Sequence, residues 1–217
     1  MKVLYSALIL VGLTMTVYFG YQWVSGTQAA EDISQDELQA FASNIPEEKD
    51  EEEVSMDEDV VDADPEGMSQ PVMSDELDLF TVGAEMSRLI IPEIEKTYKT
   101  YWGTDDATLK QGVGMYVSKW TTTPDENRHT VLSGHRDTVF SELDAVERGD
   151  LLYLEYEGNR YQYEVDDIWI TDAEDRTVIV DKDEATLTLT TCYPFDFFGS
   201  APDRYIIQSK LVDVTTL

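Results

Sequence analysis

The chain has 217 residues and a formal net charge of −30, from 45 acidic against 15 basic side chains. A sequence pI near 4.1 argues against nucleic acid as the main partner, because phosphate binding needs clustered Lys and Arg. The single cysteine, Cys192, excludes an intramolecular disulfide framework and a Cys-rich zinc module.

In chain order, residues 3–30 carry no charged side chain, and the run from Val3 to Val24 is overwhelmingly apolar or small. At about 1.5 Å per residue such a run spans roughly 33 Å as a helix, enough to cross a hydrocarbon core. Tyr18, Tyr21 and Trp23 cluster at its far end, where amphipathic aromatics favour the membrane–water interface. Lys2 precedes the run and acids follow it, which predicts the N-terminus inside and the bulk of the chain outside. A cleaved leader is the competing reading, with small residues at Thr27-Gln28-Ala29-Ala30. The apolar run exceeds the usual leader core of about 7–15 residues, which favours a retained anchor over residues 1–27.

Residues 28–85 hold 20 acids and one base, Lys49, a net charge of −19. Such a composition repels itself and cannot offset the entropy of ordering, so the segment is expected to be an acidic disordered linker. Within it, Asp36 to Phe41 has the makings of a helical turn or two, and Asp78-Leu79-Phe80 could fold back over a cleft.

Residues 86–217 carry a net −12 and form the expected folded domain. Short runs of β-formers recur with turns between them: Arg88–Ile91, Gly112–Val117, Thr130–Ser133, Leu151–Tyr156, Tyr161–Val165, Leu187–Thr191 and Tyr205–Val214. Tyr161, Tyr163 and Val165 alternate with Gln162 and Glu164, the period of a strand with one buried face. Short helices are expected only at Ser141–Arg148 and around Thr104–Lys110. The class is all-β, a closed or nearly closed barrel.

Three residues in this domain invite chemistry. Cys192 ends the alternating LTLTT strand and opens an aromatic, turn-prone stretch; a buried structural thiol is the alternative. His135 sits in Ser-Gly-His-Arg-Asp just after a strand, whereas His129 among Glu126, Asn127 and Arg128 reads as a surface residue. Arg204 opens the last strand twelve residues after Cys192, with a carboxylate pair to Asp203 as its plainer role. A thiolate nucleophile, an imidazole that exchanges protons and a guanidinium that steadies an oxyanion together describe Cys-dependent acyl transfer. One Cys and two His lack a familiar zinc spacing, and no metal site is assigned.

The sequence also resembles the sortases. Thr188-Leu189-Thr190-Thr191-Cys192 matches a TLxTC signature. Ser133-Gly134-His135-Arg136-Asp137-Thr138 with Phe140, and Arg204-Tyr205 opening a terminal strand, occur in the family order from Met86 to Leu217. The short aromatic insert after Cys192, the N-terminal anchor and the lack of a C-terminal apolar segment are most similar to class D. Many relatives have a His where this chain has Met115, and Gly-Asn where it has Arg128-His129.

The resemblance implies an eight-stranded β-barrel and a membrane-anchored cysteine transpeptidase of Gram-positive cell surfaces. By that resemblance Cys192 attacks the bond after Thr in an LPxTG-like or LPxTA-like sorting motif, and a peptidoglycan precursor or other cell-wall amine resolves the thioacyl enzyme. His135 is then the acid/base, Arg204 the oxyanion or orienting group, and Thr191 a supporting oxyanion contact. The stretch between Val165 and Leu187 corresponds to the loop that receives the sorting motif. The partners implied are surface proteins bearing that motif, the wall amine and, through the anchor, the membrane. No cofactor is assigned and metal dependence stays open: some sortases use calcium, and Asp172, Glu174, Asp175, Asp181, Asp183 and Glu184 place carboxylates in that loop without defining a site. Two other readings are a cysteine peptidase that hydrolyses surface proteins and a catalytically silent surface-binding module.

Overall fold

The computed structural model describes residues 5, 9–18, 20, 29–43, 71–77, 80–196, 199 and 201–217. Nine strands alternate with short helical turns: β1 (Ala30–Asp32), β2 (Glu85–Ile91), β3 (Lys96–Trp102), β4 (Val113–Met115), β5 (His129–Ser133), β6 (Leu151–Tyr156), β7 (Asn159–Asp172), β8 (Thr186–Tyr193) and β9 (Asp203–Thr216). The helices are α1 (Gln35–Ser43) and α2 (Asp106–Leu109).

Strands β2 to β9 close into a barrel of eight. The hydrogen-bonded order is β3-β2-β6-β7-β9-β8-β5-β4, and a parallel pairing of β4 with β3 seals the ring. A second parallel pair, β5 with β8, is separated from the seal by the antiparallel β4–β5 pair, and the remaining pairs are antiparallel. Closure leaves no long open edge on these strands. The all-β, eight-stranded expectation therefore holds.

Alternation along each strand fills the interior, as a side-chain period of two requires. Leu89 and Ile91 of β2, Leu152 and Leu154 of β6, Tyr161, Tyr163 and Val165 of β7, and Leu187 and Leu189 of β8 share one buried core. Strand β3 was not among the runs expected from sequence. Its inward residues Tyr98, Thr100 and Trp102 are all buried, and the polar Lys99 between them masks an otherwise regular alternation. The hairpin at Leu151–Tyr156 is as expected, although β7 runs on to Asp172. Of the expected helices, Thr104–Lys110 contains α2, capped by Asp105 through the N–H groups of Ala107 and Thr108. Ser141–Arg148 contains only a single 3-10 turn, Leu143–Ala145.

Part of the acidic 28–85 segment lies on the barrel. β1 pairs antiparallel with the first half of β3, and α1 rests on the outer face of β2 and β6. Ile33 and Phe41 are buried there with Ile90 and Tyr153, the Phe41 and Tyr153 rings 4.5 Å apart. Arg88 donates to both oxygens of Glu37, at 2.9 and 3.2 Å. The physical reason is local: Ile33, Leu38 and Phe41 supply an apolar stripe amid the acids, and Arg88, Lys96 and Arg160 offset the nearby charge. Further along, Ser74 is buried, its hydroxyl 2.7 Å from that of Thr121, and Phe80 packs on Trp102. The acid-rich runs within 44–70, and Asp78 and Leu79, lie outside the described residues.

The described part of the N-terminal apolar run, residues 9–18 with Tyr5 and Gly20, is helical and exposed. Among the described residues no helix is long and apolar enough to cross a membrane; the rest of the run from Val3 to Val24 lies outside them.

Candidate active site

The site is built on the outer face of three adjacent strands. On β8, Leu187 and Leu189 point inward, so Thr188, Thr190 and Cys192 fall on the opposite face. Cys192 is directly opposite Arg204 in the antiparallel β8–β9 register, and residues so paired share a face. On the other side, Ser133 is paired with Thr190 in the parallel β5–β8 register. His135 and Cys192 each lie one alternate position beyond that pair. Cys192 and Arg204 thus share one end of one face, and the turn carrying His135 is joined to the same end of β8 through Gly134.

The turn carrying His135 is fixed by its neighbours. Gly134 donates its N–H to the Thr190 carbonyl at 3.2 Å, and its own carbonyl accepts the Thr191 hydroxyl at 2.8 Å. A Cβ on Gly134 would stand 2.7 Å from both Val139 and Phe140, so the turn admits no side chain there. The His135 carbonyl accepts from the Phe140 N–H at 3.0 Å, which closes the turn over the buried Phe140 ring. Thr191 is 3% exposed and its hydroxyl proton is committed to Gly134. Its contact is with the histidine turn rather than with the open face.

Cys192 is half-buried rather than sealed in the core. Beyond it, Tyr193, Phe195 and Tyr205 form an aromatic trio, with ring centroids 5.2 to 6.2 Å apart. Burial raises the Tyr205 hydroxyl above the ordinary tyrosine range, with Asp144 adding to the effect, so this ring stays neutral beside the site. Arg204 donates from Nη1 to the carbonyls of Asp203 at 3.0 Å and Ala201 at 3.4 Å. Its tie to Asp203 is therefore through backbone, and among the described residues no carboxylate pairs with it.

Arg204 opens onto a groove of about 470 Å³. One wall is the loop between β7 and β8, including Ala173, Glu174, Asp175, Arg176, Val178 and Ile179; Tyr116 and Trp120 also line the groove, and Thr190 and Ile206 belong to the barrel strands. The lining is mixed: Tyr116, Trp120, Val178, Ile179 and Ile206 supply apolar surface beside charged and hydroxyl side chains of the loop and strands, a combination that suits both the side chains and the backbone of an extended peptide. Asp175 shapes the loop: it accepts from the Thr171 hydroxyl and from the N–H and hydroxyl of Thr177, which holds its carboxyl below the usual range. Asp181 and Asp183 pair with Arg128 at 2.8 and 3.2 Å. Among the described residues no cluster of three or more His, Cys, Asp or Glu side chains is placed to hold a metal ion.

One residue was misread from sequence. His129, expected at the surface, is fully buried. Its Nδ1–H donates to the Val180 carbonyl at 2.7 Å and its Nε2 accepts the Thr188 hydroxyl at 2.8 Å. Burial pushes this imidazole down to about 4, so it is neutral near pH 7 and tethers the β7–β8 loop to the barrel. The signal was present in the alternation of His129 with Val131 and Ser133 on β5, but charged neighbours concealed it.

The Sortase domain profile matches residues 89–212, more than half of the chain. The chain belongs to the sortase family. Among curated sortases, sortase D of Bacillus subtilis (strain 168) is 43% identical over 125 residues, covering 57% of this chain and 62% of that protein. The match thus spans about three fifths of the relative's length. The catalytic domain of B. anthracis SrtD superposes with a TM-score of 0.57 at 52% identity, covering 70% of this chain and 99% of that one. Clostridium perfringens sortase C, in a structure with the C-terminal cell wall sorting motif, gives a TM-score of 0.57 at 28% identity, covering 64% of this chain and 78% of that one. The matched span includes the positions of His135, Cys192 and Arg204.

Proposed function

We propose that this sortase is a class D-like cysteine transpeptidase that joins surface proteins to a cell-wall amine. The observation that carries the reading is the register: Cys192 directly opposite Arg204, with the His135 turn alongside. The Cys192 thiolate attacks the Thr carbonyl carbon of an LPxTG-like or LPxTA-like sorting motif. The oxyanion that develops takes donors from the Arg204 guanidinium. As the C–N bond breaks, His135 gives its proton to the departing amine, leaving a thioester on Cys192. An incoming amine, on a peptidoglycan precursor or another wall component, loses a proton to His135, attacks the thioester and expels the Cys192 thiolate, which restores the starting state.

The groove beside Arg204 is where the sorting motif lies in this reading, supported by its continuity with Thr190 and Arg204. The C. perfringens sortase C structure with a sorting motif supports that class of substrate. Thr191 is given a positioning role in place of oxyanion support, because its hydroxyl is held by Gly134. The organisation we propose is an anchor over 1–27, an acidic linker over 28–85 and the catalytic barrel over 86–217, with β1 and α1 of the linker strapped to the barrel. The N-terminus is cytoplasmic and the barrel faces the outside of a single-pass membrane protein, a reading supported by Lys2 and the acidic flank beyond the apolar run.

The test uses the full-length chain in mild detergent, mixed with peptides carrying Leu-Pro-x-Thr-Gly or Leu-Pro-x-Thr-Ala. Intact-protein mass spectrometry should find a thioester adduct that Cys192→Ala lacks and that an added amine discharges. Release of acid product alone, unchanged by amine, would make the protein a hydrolase. No adduct on folded protein would overturn the reading.

A further inference from the structure

Arg136, the residue after His135, has no part in the chemistry proposed above, yet it is only 8% exposed. Its Nη1 donates to the Pro194 carbonyl and its Nη2 to the Gly199 carbonyl, both at 2.9 Å. Both acceptors belong to the connection from β8 to β9. Pro194 is two residues past Cys192, and Gly199 is five before Arg204. On the other side of Cys192, the same histidine turn is held by Gly134, which bonds to Thr190 and Thr191. Gly134 and Arg136, the neighbours of His135 on either side, are therefore fastened to the chain before and after the thiol.

We infer that Arg136 is a positioning residue, the group that sets His135 against the Cys192 thiol and holds the connection leading to Arg204. The inference rests on the proposed transpeptidase site. The physical argument is the fork. A guanidinium offers several donors in one rigid plane and makes charge-assisted bonds to two carbonyls at once. A lysine ammonium on a flexible stem reaches one of these carbonyls and leaves the other to water. Without the fork, the histidine turn keeps its upstream bonds but loses its downstream ones, and the His–Cys geometry relaxes. A displacement of about 1 Å between reacting groups costs on the order of 10²-fold in rate. Substrate held in the groove beside Arg176 and Val178 is bound by other elements, so binding is spared.

The experiment compares wild type, Arg136→Ala and Arg136→Lys as full-length protein. It measures transfer of a Leu-Pro-x-Thr-Ala peptide to an amine, and alkylation of Cys192 by iodoacetamide. The expected result is a kcat lower by about 10²-fold in Arg136→Ala and by at least about tenfold in Arg136→Lys. KM for the peptide stays within about threefold, and free guanidinium ion, well below denaturing concentration, restores about tenfold to the alanine variant but little to the lysine one. A kcat within threefold of wild type in both variants overturns the inference. So does a fully active Arg136→Lys beside an Arg136→Ala that fails to fold, since a positive charge alone then suffices. If wild type itself forms no peptide adduct, the transpeptidase reading has failed separately, and the alkylation arm still decides on positioning. A Cys192 alkylation rate changed by at least threefold in Arg136→Lys, with circular dichroism unchanged, sustains positioning; an unchanged rate removes it.

Discussion

The hydroxyl of Thr191 donates to the carbonyl of Gly134 across 2.8 Å, so the residue before the thiol holds the residue before the histidine. This buried bond joins β8 to the turn after β5 at the point where the two chemical groups leave the sheet. We predict that Thr191→Val, nearly the same shape, leaves the Gly134 carbonyl without that donor and costs about 1–3 kcal/mol of stability. Urea unfolding checks the stability. The transfer rate should fall with little change in KM; a variant as stable and active as wild type would show that this bond does nothing.

Arg204→Lys keeps the positive charge but loses the planar donors that face the groove. The expected transfer rate is lower by about 10²-fold to 10³-fold, the scale of losing an oxyanion donor. Folding should be intact because the β8–β9 register depends on backbone pairing. Single-turnover acylation followed by mass spectrometry reports the loss directly.

Gly134→Ala places a methyl against the buried Val139 and Phe140 side chains. Overpacking of this kind costs about 1–3 kcal/mol, and here relief requires the histidine turn to move. We expect both a lower melting temperature and a slower transfer, measured on the same preparation. An alanine variant with normal Tm and rate would mean that the turn yields more easily than its packing suggests.

His129 gives a pH signature. Its folded value, about 4, lies below the ordinary value of 6.5, so the unfolded chain binds a proton more readily between them. This contribution to stability is complete above about pH 6.5 and is lost as pH falls through 4; over the step from about pH 7.5 to about pH 5 the loss is about 2 kcal/mol. Nearby Lys182 opposes the charged form and Asp181 favours it, both less strongly than burial. Urea midpoints at the two pH values should differ more in wild type than in His129→Gln, and equal slopes would contradict the assignment.

Phe41→Ala tests the strap formed by β1 and α1. Phe41 is 3% exposed, stacks on Tyr153 and lies beneath Arg160. Truncating a buried Phe costs about 3–5 kcal/mol in a core, and this satellite cluster should give the lower end of that range. A loss under about 0.5 kcal/mol, the scale of a surface substitution, would show that α1 is not docked in solution.

How much of this was legible in the sequence follows from how local each signal is. Cys192, His135 and Arg204 could be picked out because each sits at a strand end in a distinctive tripeptide. The barrel followed from period-two runs such as Tyr161 to Val165. Strand β3 escaped because the exposed Lys99 interrupts its buried residues, and the parallel β5–β8 pair joins runs more than fifty residues apart. Arg136 and His129 were hidden for a different reason. What they do depends on backbone carbonyls at Pro194, Gly199 and Val180, which carry no side-chain signature at all.

The docking of β1 and α1 changes what the acidic segment can do for the enzyme. A free spacer between Val24 and Met86 would let the barrel roam far from its anchor. With Ala30 already paired to Tyr98, only about five residues separate the apolar run from the barrel, a leash of at most roughly 22 Å. The acid-rich stretch has both flanks fixed on the same barrel and adds nothing to that leash. If the apolar run is the anchor and the proposed transpeptidase reading holds, the thiol works in a thin shell against the membrane, and a surface protein must present its sorting motif there, close to where it leaves the bilayer.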